Sequence, residues 1–318
     1  MPVWTTTKEE RSGYLFNLSD AISIVEARHP NLLVPLDDGV MLLVSDYSGQ
    51  HKRATHEAYS FLITTNLALN DWMPSLTAFR ARWLPDGRRI SFKALREPVR
   101  RRALVPFLET ASLLRANLIT VMVDRRVGSF LGANGPSIAK DIFPDCFPSD
   151  MSDVTVEKML RVAGLLAMMV AGLRKENQES NWISDHDEIL DSFERREQFG
   201  RLASYLTQGL TRWQAPATQW FGTTEVSGLP NWVEDTASIP DLVAACYCVL
   251  SPLLPYRFSD ALPRIVVRAP VPDERAAIIG NWLAGPHSGL HPVLTRLELD
   301  QTGAVRATAQ VIEGRSQA

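Results

Sequence analysis

Short, unbroken apolar runs alternate along the chain with longer segments whose apolar residues recur at helical spacing, the pattern of a sheet with helices packed on it. Val40-Met41-Leu42-Leu43-Val44 has strand length and ends at Asp46, which suits a central strand covered on both faces. Tyr59 to Thr65, rich in aromatic and β-branched residues, predicts a second strand. Arg89 to Leu95, after the turn Pro85-Asp86-Gly87, predicts a third. Leu118 to Val123 runs straight into Asp124 as a fourth, and Ser180 to Ser184 is a weak fifth leading to Asp185-His186-Asp187-Glu188.

Helices fill the intervals. A short amphipathic helix is predicted after Ser19, with Ala21, Ile22, Ile24 and Val25 as its apolar set. Glu97 to Ala116 reads as helix broken or kinked at Pro106, because proline removes a backbone donor. After Asp153, the residues Val156, Met159, Leu160, Ala163, Leu166, Ala167, Val170 and Leu173 form a stripe that needs a sheet beneath it. A charged helix follows from Ile189 towards Leu210, then an irregular stretch with Pro216, Gly222, Gly228 and Pro230. Ser238-Ile239-Pro240-Asp241 opens a further helix to Leu250, with proline in its first turn. Near the end, Arg264 to Arg268 predicts a strand and Arg275 to Leu283 a helix. Val293 to Leu299 and Val305 to Val311 predict a hairpin about Asp300-Gln301-Thr302-Gly303.

The predicted order gives an α/β fold with a mixed five-stranded sheet flanked by helices. Residues 37–252 form its core, residues 1–36 an N-terminal extension carrying the first helix, and residues 253–318 a C-terminal α+β accessory module.

A chain of 318 residues, 45% hydrophobic and 22% charged, has enough apolar material for one large domain or two moderate ones. Its longest apolar run, residues 159 to 173, contains Arg161 and falls short of the ~20 residues needed to cross a bilayer. The polar opening MPVWTTTKEERSG lacks signal-peptide character, and a cytoplasmic location is expected. Cys146, Cys246 and Cys248 form no CxxC pair and read as buried free thiols. Net charge is −3, but residues 80 to 126 hold twelve Lys+Arg against four acids. That segment suits a polyanion such as nucleic acid, or equally a solvated arginine-rich face.

Two predicted strands, the first and fourth, end in aspartates. If those strands are neighbours, Asp46 and Asp124 converge at one edge, and convergent carboxylates repel unless a cation lies between them. Mg²⁺ or Mn²⁺, with oxygen ligands, meets that need, and such ions stabilise the attacking and leaving oxygens of a phosphodiester. Asp185 or Asp187, after the fifth strand, and Asp241, at the mouth of a helix, complete the set. Each also has a plainer role: Asp46 as a turn former, Asp124 as partner of Arg125 or Arg126, Asp185 and Asp187 as caps, and Asp241 as an acid in a first helical turn. Lys93, Arg96, Arg100, Arg101, Arg102 and Arg125 are the candidate nucleic-acid contacts. The glycine-rich run Gly128 to Gly135 lacks a phosphate-binding motif, and His51 and His56 lack the context of a nucleophile elbow.

Asp46-Tyr47-Ser48-Gly49, the segment Ile90-Ser91-Phe92-Lys93-Ala94, the strand-terminal Asp124, Asp185-His186-Asp187 and Ser238-Ile239-Pro240-Asp241-Leu242-Val243-Ala244 occur in that order. The series resembles the domain-of-unknown-function-3800 family, a large bacterial family of unassigned function with Asp-Glu-Ser-Gly closing its first strand. The resemblance spans roughly residues 39 to 250 and implies an RNase-H-like fold with a divalent-metal site. It implies a metal-dependent nuclease or related phosphodiester-processing enzyme, with Asp46, Asp124, Asp187 and Asp241 catalytic and Asp185 a further metal ligand. Tyr47 stands where the family has glutamate, which removes one acid and raises a second expectation. That alternative is a catalytically inactive subunit of a bacterial defence or mobile-element system, binding nucleic acid or a protein partner through its C-terminal module.

Overall fold

The computed structural model describes residues 2–7, 13–50, 54–132, 134–185, 187–211, 219–224, 230–254, 264–265 and 270–312. The expectations for His51, His186, residues 212–218, Gly228 and residues 266–268 fall outside them.

The sheet is built outward from a central pair. β1 (Met41–Ser48) and β2 (His56–Thr65) run antiparallel, with Met41 opposite Thr65 and Ser48 opposite Ala58. β3 (Ala116–Asp124) pairs antiparallel with the other edge of β2. On the far side of β1, β4 (Ser180–Ser184) and then β5 (Gln219–Thr223) run parallel to it. The residues expected as an accessory module supply β6 (Arg264–Ile265), β7 (Leu290–Leu299) and β8 (Val305–Ile312). β7 lies parallel to β3 and β8 antiparallel to β7, so both extend the same sheet. The result is a mixed seven-stranded sheet in the order β5-β4-β1-β2-β3-β7-β8, with β6 pairing two residues beside β8.

Strand side chains alternate between faces, and each face of the sheet is covered. Met41 and Leu43 pack with α1 (Gly13–Arg28), α5 (Asp153–Leu173) and α6 (Phe193–Leu210). Leu42 and Val44 pack with α2 (Asn66–Trp83), α3 (Pro98–Ala111), α7 (Asn231–Leu250) and α8 (Glu274–Leu283). The short α4 (Gly135–Ile142) adds Ala139 to the first core. Residues 231–253 are long and apolar enough to cross a membrane, but 67% of the most apolar stretch is buried, and α7 lies on β1 and β2.

Several predicted elements are corrected. Arg89 to Leu95 is not a strand: β3 fills the place beside β2, and this segment ends in a 3-10 turn at Lys93–Arg96. A fifth core strand does exist, but it is β5, in the stretch expected to be irregular. α2 was not predicted; Thr65 caps it by accepting the Ala68 N–H, and Ala68, Leu69, Trp72, Leu76 and Phe79 bury one face. α3 continues through Pro106. α7 begins at Asn231, so Pro240 and Asp241 lie inside the helix, not in its first turn.

Candidate acidic site

Ser45 of β1 and Ser184 of β4 are register partners, and the Asp185 N–H donates to the Ser45 carbonyl at 3.2 Å. Asp46 and Asp185 therefore leave adjacent parallel strands side by side. Asp46 follows Leu42 and Val44 on the face covered by α7, which carries Asp241. Burial is the main force pushing Asp46 above the usual carboxylate range, and the charges of Asp241 and Asp185 push it further. Asp241 is raised mainly by burial as well, against the Phe92 N–H that it accepts at 2.6 Å.

One cation already serves this cluster. Arg89 donates from Nη1 and Nη2 to Oδ1 and Oδ2 of Asp185, at 2.8 Å each. Burial opposes its charge, but the fork to Asp185 and the nearby Asp241 and Asp46 hold the guanidinium even more firmly protonated than usual. Thr224, just beyond β5, adds a hydroxyl to Asp185 Oδ1 at 2.6 Å. Lys93 lies close enough to favour the charged form of Asp241. Arg89 and Thr224 were not among the predicted site residues. The usable signal was electrostatic: buried acids need a counter-charge, and the arginine-rich segment was its source.

Asp124 does not join the cluster. β2 separates β1 from β3; Asp46 pairs with Ser60, Ser60 with Thr120, and Asp124 lies four residues, roughly 13 Å, further along its strand. It caps the following turn through the Arg126 N–H at 2.9 Å. Burial works against its charge, but the Arg126 guanidinium prevails and holds Asp124 below the usual range. Asp187 is also elsewhere: it caps Glu188–Leu190 through the Ile189 N–H at 3.1 Å and pairs with Lys158 of α5 at 2.7 Å. Tyr47 turns to that same opposite face, with its hydroxyl 2.8 Å from Ser45 Oγ. The acid missing at this position therefore belongs to the other side of the sheet. There, Glu57, Tyr59, Glu157, Lys158, Arg161 and Glu188 line much of a cavity of about 570 Å³.

Ser48-Gly49 has a steric reason to be part of the motif. Gly49 has φ +90°, and a Cβ there would stand 2.3 Å from the His56 carbonyl oxygen and 2.9 Å from Cys248 Sγ.

The basic segment is largely spent on internal pairs. Arg80 meets Asp235, Arg88 meets Asp86 and Glu97, Arg100 meets Glu97, Arg101 meets Glu274, and Arg125 lies 3.7 Å from Glu57. Lys93, Arg96, Arg101, Arg102 and Arg125 are exposed, while Arg100 is half-buried with Nε on the Arg89 carbonyl.

Carboxylates on β1, just after β4 and on α7 offer the kind of oxygen donors a hard divalent ion prefers, and Arg89 Nε is buried with no hydrogen-bond partner among the described residues. As they stand, no three His, Cys, Asp or Glu side chains among the described residues are placed to hold a metal ion. No protein-family model matches the chain, and no curated protein is detectably similar to it.

Proposed function

We propose that the protein is a divalent-metal-dependent nuclease or related phosphodiester-processing enzyme with an RNase-H-like core, its metal site formed by Asp46, Asp185 and Asp241. The observation that carries this is that three aspartates from separate elements lie near enough to feel one another's charge, in a setting that makes two of them hard to ionise. The order β3-β2-β1-β4-β5, with β2 alone running against the others, supports the RNase-H-like assignment and the resemblance to the bacterial family named above. It also puts the two strand-borne acids at the carboxyl ends of neighbouring parallel strands.

When bound, Mg²⁺ or Mn²⁺ would supply a polarised water and neutralise charge on the reacting phosphate. The chain's own contribution is positional. Asp46 is fixed by its strand and by the Tyr47 N–H at 2.5 Å, Asp185 by Thr224, and Asp241 by the Phe92 N–H. Exposed Lys93 and Arg96, in the turn beside Asp241, would meet the nucleic-acid backbone.

Purified protein incubated with labelled single- and double-stranded DNA and RNA should cleave at least one substrate with Mg²⁺ or Mn²⁺. Chelator, Asp46→Ala or Asp241→Ala should stop it. Absence of any chelator-sensitive cleavage would count against catalysis.

One observation favours a second function, a catalytically silent RNase-H-like subunit: Arg89 already neutralises Asp185. Such a protein would bind nucleic acid with strong salt dependence, or a partner through its C-terminal region, and would show no Mn²⁺-dependent rise in melting temperature.

A further inference from the structure

We propose that the cavity on the sheet face opposite the acidic cluster binds a linear polyamine through a primary ammonium group. The inference is independent of the metal-site function proposed above.

At about 570 Å³ the cavity falls within the range of about 300–1,000 Å³ usual for small-molecule sites. It lies at the carboxyl ends of the parallel strands β3, β1 and β4, the end at which open α/β sheets hold their ligands. Residues just beyond those three strands, the start of β2 and the first turns of α5 form its walls.

Four acids and three bases line it, and the two sheltered bases are already engaged. Lys158, 10% exposed, has three donors and three acceptors within 3.1 Å: Gln50 Oε1, Asp187 Oδ1 and Glu188 Oε1. Arg161, 8% exposed, engages all three nitrogens. Its Nε donates to Glu157 Oε1 at 2.7 Å, Nη1 to Glu57 Oε2 at 2.7 Å and Nη2 to the Gly128 carbonyl at 2.5 Å. An incoming anion would compete with carboxylates at either cation.

The acids keep capacity to spare. Glu157 Oε1 accepts both Arg161 and the Phe130 N–H, while Oε2 is buried with no hydrogen-bond partner among the described residues. Glu57 takes the Tyr59 hydroxyl and Arg161 on Oε2 alone. Its Oε1 meets only Arg125 among the described residues, at 3.7 Å, beyond hydrogen-bond length. A buried acceptor without a donor carries a desolvation penalty, and a ligand that donates to it removes that penalty.

A primary ammonium carries three donors and no acceptor, the complement of spare carboxylate oxygens, and its charge matches the one acid in excess. Asp153 and Glu188, 73% and 62% exposed, add acids at the mouth beyond the sheltered Glu57 and Glu157. Acids at two levels suit a chain with ammonium groups at intervals, which is a polyamine. A lysine side chain brings the same group with a single charge.

Isothermal titration of the full chain with spermidine tests this, beside Nα-acetyl-lysine methylamide. Spermidine should bind saturably, more tightly than the lysine derivative, and more weakly as salt rises. Glu157→Gln keeps an oxygen for Arg161 and the Phe130 N–H but replaces the spare one with an amide donor. It should weaken spermidine about tenfold. No binding by the unaltered protein, or equal binding by Glu157→Gln, overturns the site. Tighter binding of the lysine derivative overturns the polyamine in favour of a protein side chain. If Glu157→Gln does not fold, methyl NMR of the unaltered protein decides. The Val154 signals, at the cavity wall, should shift saturably with spermidine; signals that stay unmoved, or move only with inorganic phosphate, refute the proposal.

Discussion

Asp46 and Asp185 stand side by side because Ser45 and Ser184, the residues before them, are partners in a parallel strand pair. Two like charges at the same strand ends, with Asp241 above them, are a destabilising arrangement that burial makes worse. Its consequences are measurable.

The first concerns pH. An acid whose folded-state pKa lies above its unfolded value of about 3.9 holds more protons folded than unfolded between those two values. Stability therefore falls as pH rises through that interval and stays lowered above it. Asp46 is such a group. Asp46→Asn should melt a few degrees higher than the parent at pH ~7, and the gap should close as pH falls below ~4. A variant that melts lower at neutral pH would show that Asp46 is held by attractions that outweigh its burial.

The second separates Asp124 from the cluster. Asp124→Ala should leave Mn²⁺ binding within about twofold of the parent while costing about 1 kcal/mol through loss of its cap. Asp241→Ala should abolish Mn²⁺ binding. Equal losses in the two titrations would contradict the geometry, in which the strand of Asp124 is two removed from that of Asp46.

The third concerns the ion pair that ties α2 to α7. Asp235 is fully buried and its partner Arg80 nearly so, and burial raises Asp235 despite the guanidinium. Asp235→Ala strands a buried charge and should cost about 3–5 kcal/mol in urea unfolding. A loss below about 1 kcal/mol would mean that Arg80 finds another partner or reaches water.

The fourth concerns Gly49. Gly49→Ala combines a left-handed backbone with a clash against the His56 carbonyl and should cost on the order of 1–3 kcal/mol in the same assay. A neutral result would show that the β1–β2 connection shifts freely.

Local pattern carries the central strands and α5, since residues buried on both faces leave continuous apolar runs or stripes with little else to compete. It carries the β7–β8 hairpin for the same reason, with turn chemistry added: the Asp300 carboxylate accepts from the Thr302 and Ala304 N–H groups. It fails where a residue's meaning depends on its neighbours in space. Asp46 and Asp124 look equivalent as strand ends, and only the position of β2 between them sets them apart. Pro240 looks like the start of a helix because proline favours first turns, yet α7 runs through it. Arg89 looks like the first residue of a strand, and its link to Asp185, 96 positions away, has no local trace.

β3 is sealed along Ala116 to Val123 by β7. A chain ending at Leu283 would keep every acid of the cluster but would leave that stretch of β3, wholly buried in the intact protein, with open amides and carbonyls facing solvent. Such an edge recruits strands from other molecules. The C-terminal hairpin thus guards that edge of the sheet against self-association, and a chain shortened to residues 1–283 would present it as an adhesive one.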